Sequence, residues 1–188
     1  MRIMDTEPDK RQIHNLPEDA RVVRRSVGLR PLVTAGIGLV IIVASVGTYL
    51  RWWNLSAAAG GYTIDNWLGW GGSGLLAILV PSYSLLKRHS KLSFHTLVQW
   101  HVWGNLVAFG LISMHFAQHL DRAVHFGFPL DTGFSIYLLL SGIVITGVIK
   151  RFTLMHKAQE QIRLIHLGLG LSLIVVVPVH ILSTLRVI

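Results

Sequence analysis

The fold is decided by two apolar stretches, WHVWGNLVAFGLISMH at residues 100–115 and RLIHLGLGLSLIVVVPVH at residues 163–180. Each stretch contains two histidines at a spacing of fourteen residues. These histidines are His101 and His115 in the first stretch, and His166 and His180 in the second. Fourteen residues of an α-helix make about four turns and rise about 21 Å. Each stretch therefore predicts a helix with two imidazoles on one face, at two levels.

The composition indicates an integral membrane protein. Of 188 residues, 52% are hydrophobic and only 14% are charged, and the mean hydropathy is +0.54. A soluble domain usually has about 25% charged residues. The net charge of +8 does not indicate nucleic-acid binding, because the basic residues fall between apolar runs and do not form one patch with interleaved aromatics.

The chain contains no cysteine. This excludes covalent c-type haem attachment, cysteine-ligated iron–sulfur clusters and disulfide bonds. Histidine remains as the obvious metal ligand.

Five apolar runs have the length that a hydrocarbon core of about 30 Å requires. We expect an all-α membrane bundle of five transmembrane helices in residues 31–188. The first thirty residues are polar and carry both charge signs, and they do not resemble a secretory signal. They are predicted to form a cytoplasmic arm, either a docking segment for a partner or a simple tail. The predicted spans are 31–50, 69–86, 97–118, 133–149 and 164–185.

The basic residues predict the orientation. Eleven of those beside the spans fall on one side of the predicted topology and three on the other. The positive-inside rule then places the N-terminus in the cytoplasm and the C-terminus outside a cell (inner or plasma) membrane. The eleven are Arg21, Arg24, Arg25, Arg30, Lys87, Arg88, Lys91, Lys150, Arg151, Lys157 and Arg163, and the three are Arg51, Arg122 and Arg186.

In this topology spans three and five run in the same direction, so their histidines match in depth. His101 and His166 form an inner pair, and His115 and His180 form an outer pair. Ionisable groups in a bilayer are costly and indicate function by default. Two parallel helices with histidines at two levels suit two stacked b-type haems, each with both axial positions filled by histidine. A zinc site would need its ligands to converge on one point.

Neighbouring residues are compatible with this hypothesis but less specific. Gly104 and Gly170 would let a porphyrin edge approach, although close helix packing also favours glycine. Arg163 precedes His166 by one turn and is a candidate partner for a haem propionate, or simply a topology charge. His119 follows His115 by four residues on the same face and could replace it as a ligand.

Residues 98–182 resemble the membrane core of di-haem cytochromes b, most closely the ferric reductase-like transmembrane domain. The resemblance rests on the four histidines in the two stretches quoted above, and on the segment between them, GFSIYLLLSGIVITGVIKRF. It implies transfer of electrons across the membrane. Unlike ferric reductases and NADPH oxidases, this sequence shows no flavin- or nicotinamide-binding module. The cytochrome b of quinol:cytochrome c oxidoreductases is the second resemblance.

Three functions remain open from the sequence. The favoured one is an electron-transfer subunit of a larger redox complex, of the respiratory-chain type. It would have two haem b cofactors, other redox subunits as partners and no catalytic residue of its own, and quinone binding is left open. The second is a self-sufficient quinol-oxidising or metal-reducing cytochrome b. The third is a haem-free structural membrane subunit.

Overall fold

A computed structural model of the chain describes residues 29–89, 91–127, 131–152 and 158–184. This part of the chain is mainly helical, with one short hairpin and a few connecting residues, which confirms the predicted all-α class. The predicted N-terminal arm lies outside the described residues, except for the start of the first helix. The elements are α1 (Leu29–Tyr49), β1 (Ala58–Ala59), β2 (Tyr62–Thr63), α2 (Ile64–His89), α3 (Phe94–Phe126), α4 (Asp131–Phe152) and α5 (Gln159–Thr184).

Within the described ranges, four helices are long and apolar enough to cross a membrane, which supports the predicted membrane class. They overlap four of the five predicted spans. The remaining predicted span, 97–118, lies within α3, which is 33 residues long. The polar side chains of residues such as His101, Asn105 and His115 lower the mean hydropathy of α3. The four are Leu32–Tyr49, Ile64–His89, Thr132–Arg151 and Gln159–Ser183.

The helix ends follow from local sequence. α3 begins at an N-cap, where the Ser93 hydroxyl accepts a hydrogen bond from the Thr96 amide at 3.2 Å. It ends at Gly127, whose positive φ of 69° suits glycine, and the Gly127 amide donates to the Ala123 carbonyl at 3.0 Å. α2 continues through Pro81, the residue that interrupts the second predicted span. Membrane helices tolerate such prolines.

A two-stranded hairpin connects α1 to α2. Its strands pair Ala58 with Thr63 and Ala59 with Tyr62. Both turn residues, Gly60 and Gly61, have positive φ angles of 61° and 85°, which glycine adopts without strain. The hairpin leads directly into the first turn of α2.

Four of the five helices pack in two pairs. α2 lies along α3, α4 lies along α5, and a smaller α3–α4 contact joins the pairs. In the described part of the chain, α3 and α5 make at most sparse contact with each other. By contacts the chain divides into units 1–33 and 34–188, and all of this packing lies in the second. The core is formed by Leu76, Ala108, Ile136, Leu140 and Leu173.

Candidate functional site

His115, on α3, is held by the first turn of α2. Its Nδ1 lies 2.8 Å from the backbone oxygen of Asp65. A carbonyl oxygen only accepts, so Nδ1 carries the proton and Nε2 keeps its lone pair. The ring lies against Gly69, where an added Cβ would be 3.0 Å from three ring atoms. A residue larger than glycine would crowd the imidazole.

His166, on α5, is held by α4 in a similar way. Its Nδ1 lies 3.1 Å from the Ile143 carbonyl oxygen and 2.9 Å from the Thr146 hydroxyl. The Thr146 hydroxyl has its own backbone acceptors, the carbonyl oxygens of Gly142 at 2.8 Å and Ile143 at 3.0 Å. The Ile143 carbonyl requires a proton on Nδ1 of His166, which leaves Nε2 as the free ligand atom. The ring lies against Gly147, where an added Cβ would be 3.3 Å from Cε1.

His180 contacts the first turn of α4. Its Nδ1 lies 2.7 Å from the Thr132 hydroxyl, and its Cε1 would be 3.5 Å from a Cβ added at Gly133. Three of the four predicted ligands thus share one pattern: the Nδ1 atom is hydrogen-bonded to a neighbouring helix and a glycine lies beside the ring. Metal-ligating histidines almost always use the other ring nitrogen in this way.

His101 differs from the other three. Its Nδ1 lies 3.1 Å from the amide nitrogen of Asn105, which also donates to the His101 carbonyl oxygen at 2.7 Å. The Asn105 Oδ1 atom is buried and has no hydrogen-bond partner among the described residues. The His101 ring packs on Tyr83 at 4.6 Å between centroids. Both rings border a cavity of about 150 Å³ between α2 and α3, which is otherwise lined by Leu79, Ser82, Leu86, Leu92, Leu97 and Trp100.

The predicted pairs lie close enough to interact electrostatically. His101 is within electrostatic range of His166, and both His115 and His119 are within range of His180. In each pair one histidine is on α3 and the other is on α5, the two helices that make at most sparse contact. The ring contacts described above are with neighbouring helices: the two histidines of α3 contact α2, and the two histidines of α5 contact α4.

The other predicted site residues, Gly104, Gly170 and Arg163, have no described contact with the four histidines. A Cβ added at Gly104 would lie 2.5 Å from Leu79, so this glycine serves close packing of α3 on α2. Gly170 has no described atom within 4 Å of an added Cβ and faces open space. Arg163 is exposed and forms an ion pair with Glu160 at 2.9 Å. Such surface pairs contribute only about 0–1 kcal/mol.

Sequence reasoning missed Asp65. This residue is fully buried, and its carboxylate lies 3.1 Å from Nη1 of Arg122 and 3.8 Å from Nε2 of His119. Neither contact has hydrogen-bond geometry, so both oxygens lack a hydrogen-bond partner among the described residues. An acidic residue at the start of a helix is ordinary. Only the folded chain shows that Asp65 contacts residues more than fifty positions later in the sequence.

A second buried carboxylate, Asp121, lies at the same end of α3. The Nε atom of Arg51 is 2.9 Å from its Oδ2, and Nδ1 of His125 is 3.0 Å from its Oδ1. Arg51 has a positive φ of 59°, an uncommon conformation for a residue other than glycine. Two of the three basic residues predicted outside, Arg51 and Arg122, are therefore engaged with buried carboxylates.

The chain matches no protein-family model, and neither a curated protein nor a solved structure matches it.

Proposed function

We propose that this chain is a five-span cytochrome b that holds two b haems between α3 and α5 and transfers electrons across the membrane as a subunit of a larger redox complex. The observation that carries the proposal is that Nδ1 of both His115 and His166 contacts a backbone carbonyl oxygen of a neighbouring helix. A backbone carbonyl of a neighbouring helix fixes the proton of each on Nδ1. One histidine of each pair is thus prepared to bind iron through Nε2.

The chain's residues would position both rings through the same backbone device. The carbonyl that holds each ring belongs to the residue four positions before the glycine beneath it, Asp65 before Gly69 and Ile143 before Gly147. In a helix these two positions are consecutive on one face. Because the glycine has no Cβ, the imidazole can reach the carbonyl oxygen, which then accepts a hydrogen bond from Nδ1 in addition to its hydrogen bond within the helix. Such outer hydrogen bonds orient a ligand and raise its basicity.

The ligand set favours electron transfer over chemistry on a bound molecule. A bound haem supplies one-electron redox chemistry. With a histidine from α3 and another from α5 at each level, the protein would fill both axial positions and leave no iron site for oxygen or substrate. The two levels are about 21 Å apart along the helices, which is too far for the four histidines to share one zinc ion.

We include α3 as the fifth span. Its 33 residues would extend about 50 Å, which exceeds the hydrocarbon thickness. It packs between α2 and α4, which are both apolar enough to cross a membrane. Its polar groups face these neighbours: the Tyr137 hydroxyl donates to the buried Ser113 hydroxyl at 3.3 Å, for example. Polar residues in membrane helices characteristically face the bundle interior.

The proposed orientation places the N-terminus in the cytoplasm and the C-terminus outside the cell membrane.

The pairing can be tested with double variants. His101→Ala and His166→Ala should each remove the same haem, so the double variant should retain one haem, as each single variant does. By contrast, His101→Ala combined with His115→Ala should remove both. Haem per chain is measured by pyridine haemochrome absorbance, and His95→Ala, at an exposed position near the start of α3, is the control. Loss of both haems in the first double variant would contradict the pairing.

A further inference from the structure

Asp65, His115 and His119 form a compact group at the outer end of α2 and α3. The three potential ligand atoms, one from each residue, all lie within 4.8 Å of one another. The rings of His115 and His119 are 4.5 Å apart between centroids. These residues come from the first turn of one helix and two consecutive turns of another, so two rigid elements define the group.

The Asp65 carboxylate has unused bonding capacity in this group. It is fully buried, and no described residue hydrogen-bonds to either oxygen. The Arg122 guanidinium compensates its charge at 3.1 Å from Oδ2 and also donates to the Ser56 hydroxyl at 3.2 Å. The other carboxylate oxygen of Asp65, Oδ1, has no hydrogen bond and no ion pair among the described residues. A buried charged oxygen without a hydrogen bond is costly, and a bound cation would remove that cost.

The donor set suits a divalent transition-metal ion. Two imidazole nitrogens and one carboxylate oxygen are typical of zinc sites that keep a fourth position for water. The outer hydrogen bonds are also present, since Nδ1 of His115 donates to the Asp65 carbonyl and Arg122 pairs with the Asp65 carboxylate. The His119 side chain is 46% exposed, which gives an ion a path to the site.

We propose that Asp65, His115 and His119 bind a divalent transition-metal ion such as Zn²⁺, in competition with the outer haem for His115. The competition rests on the proposed function, in which His115 is a haem ligand. Because Nδ1 of His115 is protonated, its Nε2 has the one available lone pair and can serve only one of the two metals. Zinc at the outer surface would then lower the occupancy of the outer haem.

The test is zinc binding to the full-length chain in detergent, treated with EDTA and then dialysed against Zn²⁺. We expect one zinc per chain, with affinity reduced about tenfold or more in His119→Ala and Asp65→Asn. The matched control is His125→Ala, an exposed histidine six residues further along α3, which should bind zinc as the wild type does. If Asp65→Asn does not fold, the zinc affinity of His119→Ala decides the test, because the exposed His119 can be replaced without disturbing the core. In the wild type, but not in His119→Ala, zinc should also remove the absorbance of one haem.

The outcomes separate this inference from the proposed function. Absence of bound zinc, or equal zinc binding by the wild type and His119→Ala, would overturn the site, even if two haems are present. Zinc binding with both haem signals unchanged would overturn the competition. If the chain carries no haem, the proposed function fails, and the zinc stoichiometry of the wild type and variants still decides the metal site.

Discussion

The outer and inner histidine pairs have different surroundings. At the outer level His115 lies beside the buried Asp65 and its partner Arg122, at the end of the bundle where α2 begins. At the inner level His166 is held by the Ile143 carbonyl and the Thr146 hydroxyl. The other histidine of this pair, His101, borders an apolar cavity. Neutral hydrogen bonds hold the rings at both levels, but only the outer level has a buried carboxylate and its cation beside them.

One backbone device nevertheless serves both levels. A glycine on a neighbouring helix lies beneath the ring, and the carbonyl four residues earlier accepts from Nδ1. The comparison indicates that ring orientation comes from the backbone of α2 and α4, while the side chains nearby modulate stability and affinity.

The largest effect is expected from filling the glycine positions. Gly69→Val should remove only the outer haem, and Gly147→Val only the inner one, because an added Cβ already lies 3.0–3.3 Å from the ring. Gly74→Val, on α2 with no described atom within 4 Å of its added Cβ, is the control. Haem per chain and reduced-minus-oxidised spectra measure the result. Retention of both haems in Gly69→Val would show that the backbone device is not needed.

The next effect concerns buried charge and should occur at the outer level only. Arg122→Met leaves the Asp65 carboxylate buried without its cation, which should cost about 3 kcal/mol of folding stability. Adding Asp65→Asn to this variant should restore part of the loss. Denaturant unfolding in detergent measures both. If Arg122→Met is as stable as the wild type, the ion pair between Arg122 and Asp65 does not contribute to folding stability.

A smaller effect is expected at the inner level. Thr146→Val removes a hydroxyl that contacts His166 but leaves the Ile143 carbonyl as acceptor. Both haems should be retained, with inner-haem affinity reduced by about tenfold, at the low end for such partners. The weaker ligand should also raise the midpoint potential of the inner haem, as measured by redox titration. The control is Ser172→Ala, at an exposed position on α5. Complete loss of the inner haem in Thr146→Val would show that the Thr146 side chain, and not the Ile143 carbonyl, orients the ring.

The smallest effect is expected at Arg163, which the sequence suggested for a haem propionate. It forms an exposed ion pair with Glu160. Arg163→Gln should change stability by less than about 1 kcal/mol and leave the spectrum of the inner haem unchanged. A shift of that spectrum, measured against Glu160→Gln as the matched control, would instead support contact with a propionate.

The sequence predicted the helical class and the membrane-spanning character, because long apolar runs leave few alternatives. Which histidines share a level stays a prediction, which rests on helical spacing and on the predicted topology. The number of spans stays a prediction, because the polar residues of α3 lower its mean hydropathy, and α3 is not among the four helices that are apolar enough to cross a membrane.

The surroundings of the histidines were harder to predict. Sequence reasoning considered Gly104 and Gly170, on the same helices as the histidines, whereas the glycines beneath the rings are Gly69, Gly133 and Gly147 on the neighbouring helices. Which residues of two helices meet depends on their packing and relative rotation, and periodicity within one helix does not determine either. Asp65 was missed for the same reason.

The central claim is that the chain holds two b haems, each between one histidine of α3 and one of α5. Its most direct test is the haem content of the purified chain, measured by pyridine haemochrome absorbance against protein concentration. The proposed structure requires two haems per chain, both extractable with acid acetone and of the b type. One haem, a covalently attached haem or no haem would contradict it.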